Sequence, residues 1–311
     1  MAAEPTISIL NGVRGPQETR ATAFSATLSD YWALTKPEVN FLILITTFAG
    51  FYLASRSDST KFHYLLALHA LLGTLLVAGG TATLNQALEA SFDSQMRRTA
   101  RRPVVAGRIK PSQAFGFGVS LAVAGAAYLA FVVNGLTCLL AVITLATYLF
   151  LYTPLKRVTP LCTLVGAFPG AMPPLIGWAA ARGKLDAEAW VLYAIVFLWQ
   201  FPHFMAIAWM YREDYARAGY LVLPLNEQRD RYLACQSLVA SLLLTAVSMV
   251  PALNGKMGLV YFIGALMFGT AFVGYSAQLA FRRSNASARR LLLASIVYLP
   301  AMLILMMLES K

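Results

Sequence analysis

The stretch NQALEASFDSQMRRTARRP, residues 85–103, combines two acids, an amide and an arginine cluster at the end of a long apolar run. Asn85, Glu89 and Asp93 stand at i, i+4 and i+8, so a helix would present them as one stripe. Two carboxylates one turn apart repel, and a helix C-terminus already disfavours negative charge. Such a stripe needs a cation. Oxygen-only donors from Asn, Glu and Asp suit a hard ion such as Mg²⁺, which commonly shares its shell with substrate phosphates. A simpler reading pairs Glu89 or Asp93 with Arg97 or Arg98 one turn on, as a solvated helix end.

A second group of ionisable residues closes another apolar run, WQFPHFMAIAWMYREDYARAGY, with His203, Glu213 and Asp214. Residues 11 apart return to nearly one helical face, so His203 and Asp214 are expected to line one wall, about three turns deep. Pro202, before the histidine, is expected to bend that helix open. An ionisable residue inside a membrane segment is a functional candidate, although His203 could equally hydrogen-bond a neighbouring helix. His69 reads as a packing residue, and His63 lies at a helix edge.

These residues need elements to hold them, and composition says which. The chain has 311 residues, of which 58% are hydrophobic and 13% charged, with a mean hydropathy of +0.62. A soluble chain carries nearer a quarter charged residues. Apolar runs of about 20 residues, the length that crosses a bilayer core, recur throughout. The fold class is therefore all-α: a polytopic membrane protein of nine transmembrane helices. They are expected at 39–55, 64–90, 112–133, 136–152, 160–181, 188–211, 232–253, 257–281 and 290–308. Asn134-Gly135 marks a tight turn between the third and fourth. Pro160, Pro169, Pro173 and Pro174 mark the fifth as irregular. Residues 1–29 are polar and mixed, expected as a disordered cytosolic tail, with 30–311 forming one membrane domain.

The net charge of +11 could suggest nucleic acid, but its distribution is topological. With nine spans, nineteen of the 25 basic residues fall on the N-terminal side. Only Arg56, Lys61, Arg182, Lys184, Lys256 and Lys311 fall on the other. Positive charge stays inside, so the N-terminus is expected to be cytoplasmic, and no nucleic-acid partner is implied. Helices 2 and 6 would then both end at the cytoplasmic face, delivering both acidic groups to one side. Cys138, Cys162 and Cys235 sit in apolar runs without paired spacing and read as core residues.

Arg98, Arg102, Lys156 and Arg157 share that face. Arginine forks bind phosphate bidentately and lysine acts as a point charge. Each alone fits the topological charge bias; acids, amide and bases together suggest a diphosphate held through a metal. In a lipid-embedded cavity this points to a prenyl diphosphate, ionised by electrostatic stabilisation of departing pyrophosphate. The allylic cation would need aromatic faces, which Trp199, Phe201, Phe204, Trp209 and Tyr211 could supply. A transporter is the rival from another class, but transporters place ionisable groups near the midplane between repeated halves.

Several segments resemble the membrane-embedded prenyltransferases of the UbiA type: LTKP (34–37), residues 85–103, YTPLKRVTP (152–160), GAFPGAMPPLIGW (166–178), WQFPHF (199–204) and DYARAGYLVLP (214–224). WQFPHF followed by DYARAG is similar to the haem-directed branch rather than to the quinone-directed one, which remains the alternative acceptor class. The resemblance implies a bundle around a central cavity in the bacterial inner membrane. It implies Mg²⁺-dependent farnesyl transfer from farnesyl diphosphate to a vinyl group of haem B, with addition of water, giving haem O. Carried over by position, Asn85, Glu89, Asp93 and Asp214 would be the catalytic metal ligands. Arg98, Arg102, Tyr152, Lys156 and Arg157 would hold the diphosphate. His203 would belong to the haem-side wall, and whether it ligates iron stays open. A haem A synthase and oxidase assembly proteins are the candidate protein partners. Two positions depart from the pattern: Glu89 stands where aspartate is more familiar, and Glu38 follows TKP where arginine is often seen.

Overall fold

A computed structural model describes residues 27–56, 62–224 and 228–310. Among the described residues it is helical throughout, with nine helices long and apolar enough to cross a membrane. They are α1 (Pro37–Arg56), α2 (Tyr64–Leu88), α3 (Pro111–Val133), α4 (Gly135–Leu155), α5 (Cys162–Arg182), α6 (Ala187–Met210), α7 (Asp230–Leu253), α8 (Leu259–Arg282) and α9 (Asn285–Glu309). The chain is a multi-pass membrane protein. Residues 1–26, most of the tail expected to be disordered, lie outside the described residues, as do Lys61 and Lys311. Residues 27–29, also assigned to that tail, instead belong to helical backbone over residues 27–34.

The helices close into a bundle by neighbour packing. α2 lies along α3, α1 along the second half of α5, and α6 to α9 pack as a four-helix group that returns to α1 through α9. The α1–α5 contact depends on missing side chains. A Cβ on Gly177 would collide with the Thr47 carbonyl, and one on Gly50 with the Pro174 carbonyl. Small residues permit such backbone approach where no hydrophobic force drives helices together.

The expected irregularities are present and have local causes. α5 is broken at Ala171, between the segments Cys162–Gly170 and Met172–Arg182. Asn134 caps α4 by accepting from the Thr137 N–H at 2.9 Å, and its own amide donates to Ala179 O. α9 starts earlier than hydropathy suggested, because Ser284 and Ser287 form a reciprocal cap that recruits Arg289 and Arg290 into the first turns. α6 contradicts an expectation: it runs continuously through Pro202 and does not open there.

Two breaks matter for function. α2 ends at Leu88, Glu89 takes a non-helical cap geometry, and a short helix Ala90–Asp93 follows. The acid stripe is thus not on one unbroken helix. α6 ends at Met210, Tyr211 leaves helical geometry, and Asp214 sits on a separate short helix, Arg212–Arg217. His203 and Asp214 therefore do not share one helical wall.

Candidate active site

The C-terminal end of α2 brings Asn85, Glu89 and Asp93 together as buried groups, with relative exposures of 1%, 6% and 1%. Asn85 Nδ2 donates to Glu89 Oε2 at 2.8 Å. The break at Glu89 keeps this contact and lets the chain turn, so the stripe survives as a cluster. Each acid has a cationic partner from another part of the chain. Lys156 Nζ lies 2.9 and 3.0 Å from the two oxygens of Glu89. Arg102 donates to Asp93 Oδ2. Neither acid pairs with Arg97 or Arg98, so the solvated-helix-end reading is set aside.

Local structure explains how Lys156 arrives. The last part of α4 is a π-helical segment, Thr147–Tyr152. Wider winding of this kind re-aims side chains and is frequent at functional sites. Tyr152 and Tyr148 present their rings to Lys156 Nζ, at 4.5 and 6.0 Å from the centroids. A third ring, Tyr220, stands 5.8 Å away. Burial works against the Lys156 ammonium, but the oxygens of Tyr152, Tyr148 and Glu89 outweigh it and hold its proton more tightly than usual.

Sequence reasoning gave no role to Lys36, and the structure places it at the centre. Its Nζ donates to Asn85 Oδ1 at 3.2 Å. The residue links residues 27–34 to α1 with φ of 51°, the left-handed region that side chains rarely adopt. Such a conformation costs about 1–3 kcal/mol and persists only where surroundings enforce it. Gln86 Nε2 holds Leu34 O at 2.9 Å and Asn40 Nδ2 holds Thr35 O at 2.7 Å on either side of the bend. Burial, then the charges of Arg102 and Lys156, push the Lys36 ammonium down to about 7. An arriving anion would reverse that. Glu38, the departure noted after TKP, is exposed in the first turn of α1, where the helix dipole favours an acid. Burial, and the nearby Glu89 charge, raise the Asp93 carboxyl despite Arg102.

Asp214 joins from the other side. Its Oδ2 accepts the Arg98 backbone N–H at 3.4 Å, and its Oδ1 pairs with Arg217. The Arg98 guanidinium lies over Tyr211 and Tyr215, 5.1 and 5.8 Å from their centroids. The loop after Asp93 is thereby tied to the segment after α6. A further tie runs from the Leu221 N–H to Lys156 O at 2.6 Å. Arg157 packs its guanidinium 4.1 Å over Phe92, at the rim and outside the ion-pair cluster. Tyr220 is a second residue that sequence reasoning missed. It is buried, its hydroxyl has no hydrogen-bond partner among the described residues, and burial beside Glu89 keeps it protonated. Glu213 points away, with its side chain 87% exposed.

His203 is not part of this cluster. It lies inside the α6–α9 group, stacked on Trp199 with centroids 4.7 Å apart, and Nδ1 is 2.8 Å from Ser295 Oγ. Of the aromatic residues named on α6, Phe201 is core packing against Ala167 and Ala240. His69 is a packing residue as expected, bonded to Tyr128 OH at 2.7 Å.

The residues so tied together set five cations (Lys36, Arg98, Arg102, Lys156, Arg217) against three carboxylates (Glu89, Asp93, Asp214). It is net positive and matches an anion bearing several charges. As a cradle for Mg²⁺ the donor set fits by chemistry, being oxygen-only. Among the described residues no three His, Cys, Asp or Glu side chains converge as a ready-made metal nest. Each carboxylate leans on a lysine or arginine instead, so a metal would be shared with the anion rather than caged by protein alone.

Comparisons with known proteins give the family and the fold. A family model described as the UbiA prenyltransferase family matches residues 43–299. A protein of Solibacter usitatus named protoheme IX farnesyltransferase is 46% identical over 288 residues, covering 91% of this chain and 99% of that protein. One of the same name from Koribacter versatilis is 40% identical over 307 residues, covering 96% and 99%. Among solved structures, one described as a digeranylgeranylglyceryl phosphate synthase superposes with a TM-score of 0.75 at 18% identity, over 91% of this chain and 98% of that one. A homologue from Archaeoglobus fulgidus bound to GPP and Mg²⁺ gives 0.63 at 15% identity, over 88% and 98%.

Proposed function

The chain belongs to the UbiA prenyltransferase family, and on that premise we propose that it transfers a farnesyl group from farnesyl diphosphate to a vinyl group of haem B, with addition of water, giving haem O. The observation that carries this reading is the buried meeting of Glu89 with Lys156 and Asp93 with Arg102, beside Lys36, with Asp214 tied to the loop after Asp93 through the Arg98 N–H. Buried ion pairs at the edge of a membrane bundle are expensive to assemble, and a cluster of them marks a site for a charged ligand. The acceptor class rests on the relatives' names and on the WQFPHF…DYARAG pattern.

Asn85, Glu89 and Asp93, with Asp214 across the site, would hold the Mg²⁺. Bound there, the ion neutralises charge that develops on the leaving pyrophosphate. Lys36, Arg102 and Lys156 bind the diphosphate oxygens, Arg102 and Lys156 trading carboxylate partners for phosphate. Arg98 and Arg157 close the rim above it. Tyr148 and Tyr152, packed on Lys156, fix its direction and offer π-faces to the allylic cation. The buried Tyr220 hydroxyl stays neutral and donates to the anion. His203 stands on the acceptor side. The enzyme lies in the bacterial inner membrane with its N-terminus and diphosphate site cytoplasmic, a placement supported by the charge bias of the connections. A haem A synthase or oxidase assembly proteins would receive the product.

The test is pigment analysis. Membranes containing the protein, given haem B, farnesyl diphosphate and Mg²⁺, should form a more hydrophobic haem on chromatography and lose that activity in EDTA. Haem that elutes unchanged while a quinone precursor becomes prenylated would reassign the acceptor.

A further inference from the structure

Inside the α6–α9 group is an arrangement that the diphosphate chemistry does not use. His203 lies about 10 Å, two turns, inside the end of α6, given the helical rise. Its Nδ1 contacts Ser295 Oγ at 2.8 Å. That hydroxyl has one hydrogen, and Leu292 O stands 2.6 Å away, placed to accept it. Ser295 Oγ can then only accept, so Nδ1 carries the imidazole proton and Nε2 carries the lone pair. The ring is clamped as well. It stacks on Trp199 at 24° between planes, and Trp199 Nε1 donates to Ser295 O at 2.9 Å. Among the described residues no protein group pairs with Nε2.

The same level of the bundle is polar. Ser237 on α7 and Ser276 on α8 are fully buried, and neither hydroxyl has a partner among the described residues. Phe272 stacks on Tyr298 at 4.9 Å, and Tyr261 OH donates to Ser248 O at 2.6 Å. The Phe272–Tyr298 stack sets Ser276 at the height of Ser295, and the close approach of Gly269 to the Thr245 side chain sets Ser237 about opposite Ser276. Buried hydroxyls with no protein partner call for water where the packing leaves room for it.

We propose that His203 Nε2 is the general base for the water that completes the product, water drawn from this serine level. The proposal rests on the farnesyl-transfer reading above. Bonding of farnesyl to the terminal vinyl carbon leaves a cation on the inner vinyl carbon. The water oxygen bonds to that carbon, one O–H bond breaks, and its proton passes to Nε2. The imidazolium returns that proton to solvent as product leaves. Glu89, Asp93 and Asp214 do not serve, because they stand at the membrane face and each is paired with a cation. Without a base, the cation sheds a C–H proton instead and yields an alkene lighter by one water.

The test uses purified wild type, His203→Gln and Ser295→Ala with haem B, farnesyl diphosphate and Mg²⁺. It reads pyrophosphate release, product mass and the absorption spectrum of bound haem. In His203→Gln, pyrophosphate is expected to appear while hydrated product falls about a hundredfold, within the range for general-base catalysis, and the lighter alkene accumulates. Ser295→Ala, which frees the tautomer, should show the same shift more weakly. A wild-type ratio of hydrated product in both variants overturns the proposal, as does a variant that releases no pyrophosphate. A haem spectrum altered by His203→Gln would make the imidazole an iron ligand instead. Wild type that leaves haem unchanged refutes the underlying reading.

Discussion

Lys156 Nζ sits 2.9 Å from Glu89 Oε1, and both side chains are nearly buried, at 12% and 8% exposure. The two residues are 67 positions apart. Breaking a buried pair by removing one partner typically costs about 3–5 kcal/mol, because the other charge is left unpaired, whereas removing both can be neutral. Lys156→Met should therefore destabilise the protein in detergent more than the double variant Lys156→Met with Glu89→Leu. A thermal-unfolding double-mutant cycle checks this; strictly additive losses would mean that the two groups do not interact.

Asp93→Asn keeps the size of the side chain and its contact with Arg102 but removes the charge. Turnover should fall by at least about a hundredfold, the scale seen when an electrostatic stabiliser is lost, with the helical spectrum unchanged. Activity near wild type in the purified variant would remove Asp93 from the metal and diphosphate machinery.

Lys36 should behave as a site residue rather than a hinge. Lys36→Arg keeps the charge and should retain part of the activity, whereas Lys36→Met should weaken inhibition by inorganic pyrophosphate about tenfold or more, the size of one charge-assisted contact. Equal inhibition of Lys36→Met and wild type would confine Lys36 to the bend.

Gly177→Ala places a methyl against the Thr47 carbonyl, while Gly116 has open space around it. Overpacking of this kind costs about 1–3 kcal/mol. The melting temperature should drop for Gly177→Ala and hold or rise for Gly116→Ala, a helical position where alanine is favoured over glycine. Identical behaviour of the two would mean that α1 and α5 do not touch as described.

Tyr220→Phe preserves the ring that packs on Phe92 and Tyr215. Loss of the hydroxyl alone should lower kcat about tenfold with the fold intact, the value of roughly one hydrogen bond made to a charged group. An unchanged kcat would leave Tyr220 as packing.

The residues themselves set the class of this protein. Nine apolar stretches of spanning length dictate a helical membrane bundle, because in hydrocarbon each segment must satisfy its own backbone. The acid stripe was equally legible, since i, i+4 spacing is a local property of one chain segment. Its continuity was not: the break at Glu89 turns on one residue's backbone, which side-chain spacing does not encode. The same holds at Tyr211, where α6 stops and Asp214 leaves the face of His203. Pairing across the bundle belonged wholly to the tertiary structure. Lys36 meets Asn85 over 49 positions and His203 meets Ser295 over 92, and neither partner carries a local signal. A lysine before a helix reads as boundary charge and a serine in an apolar run reads as filler, until packing decides what stands opposite.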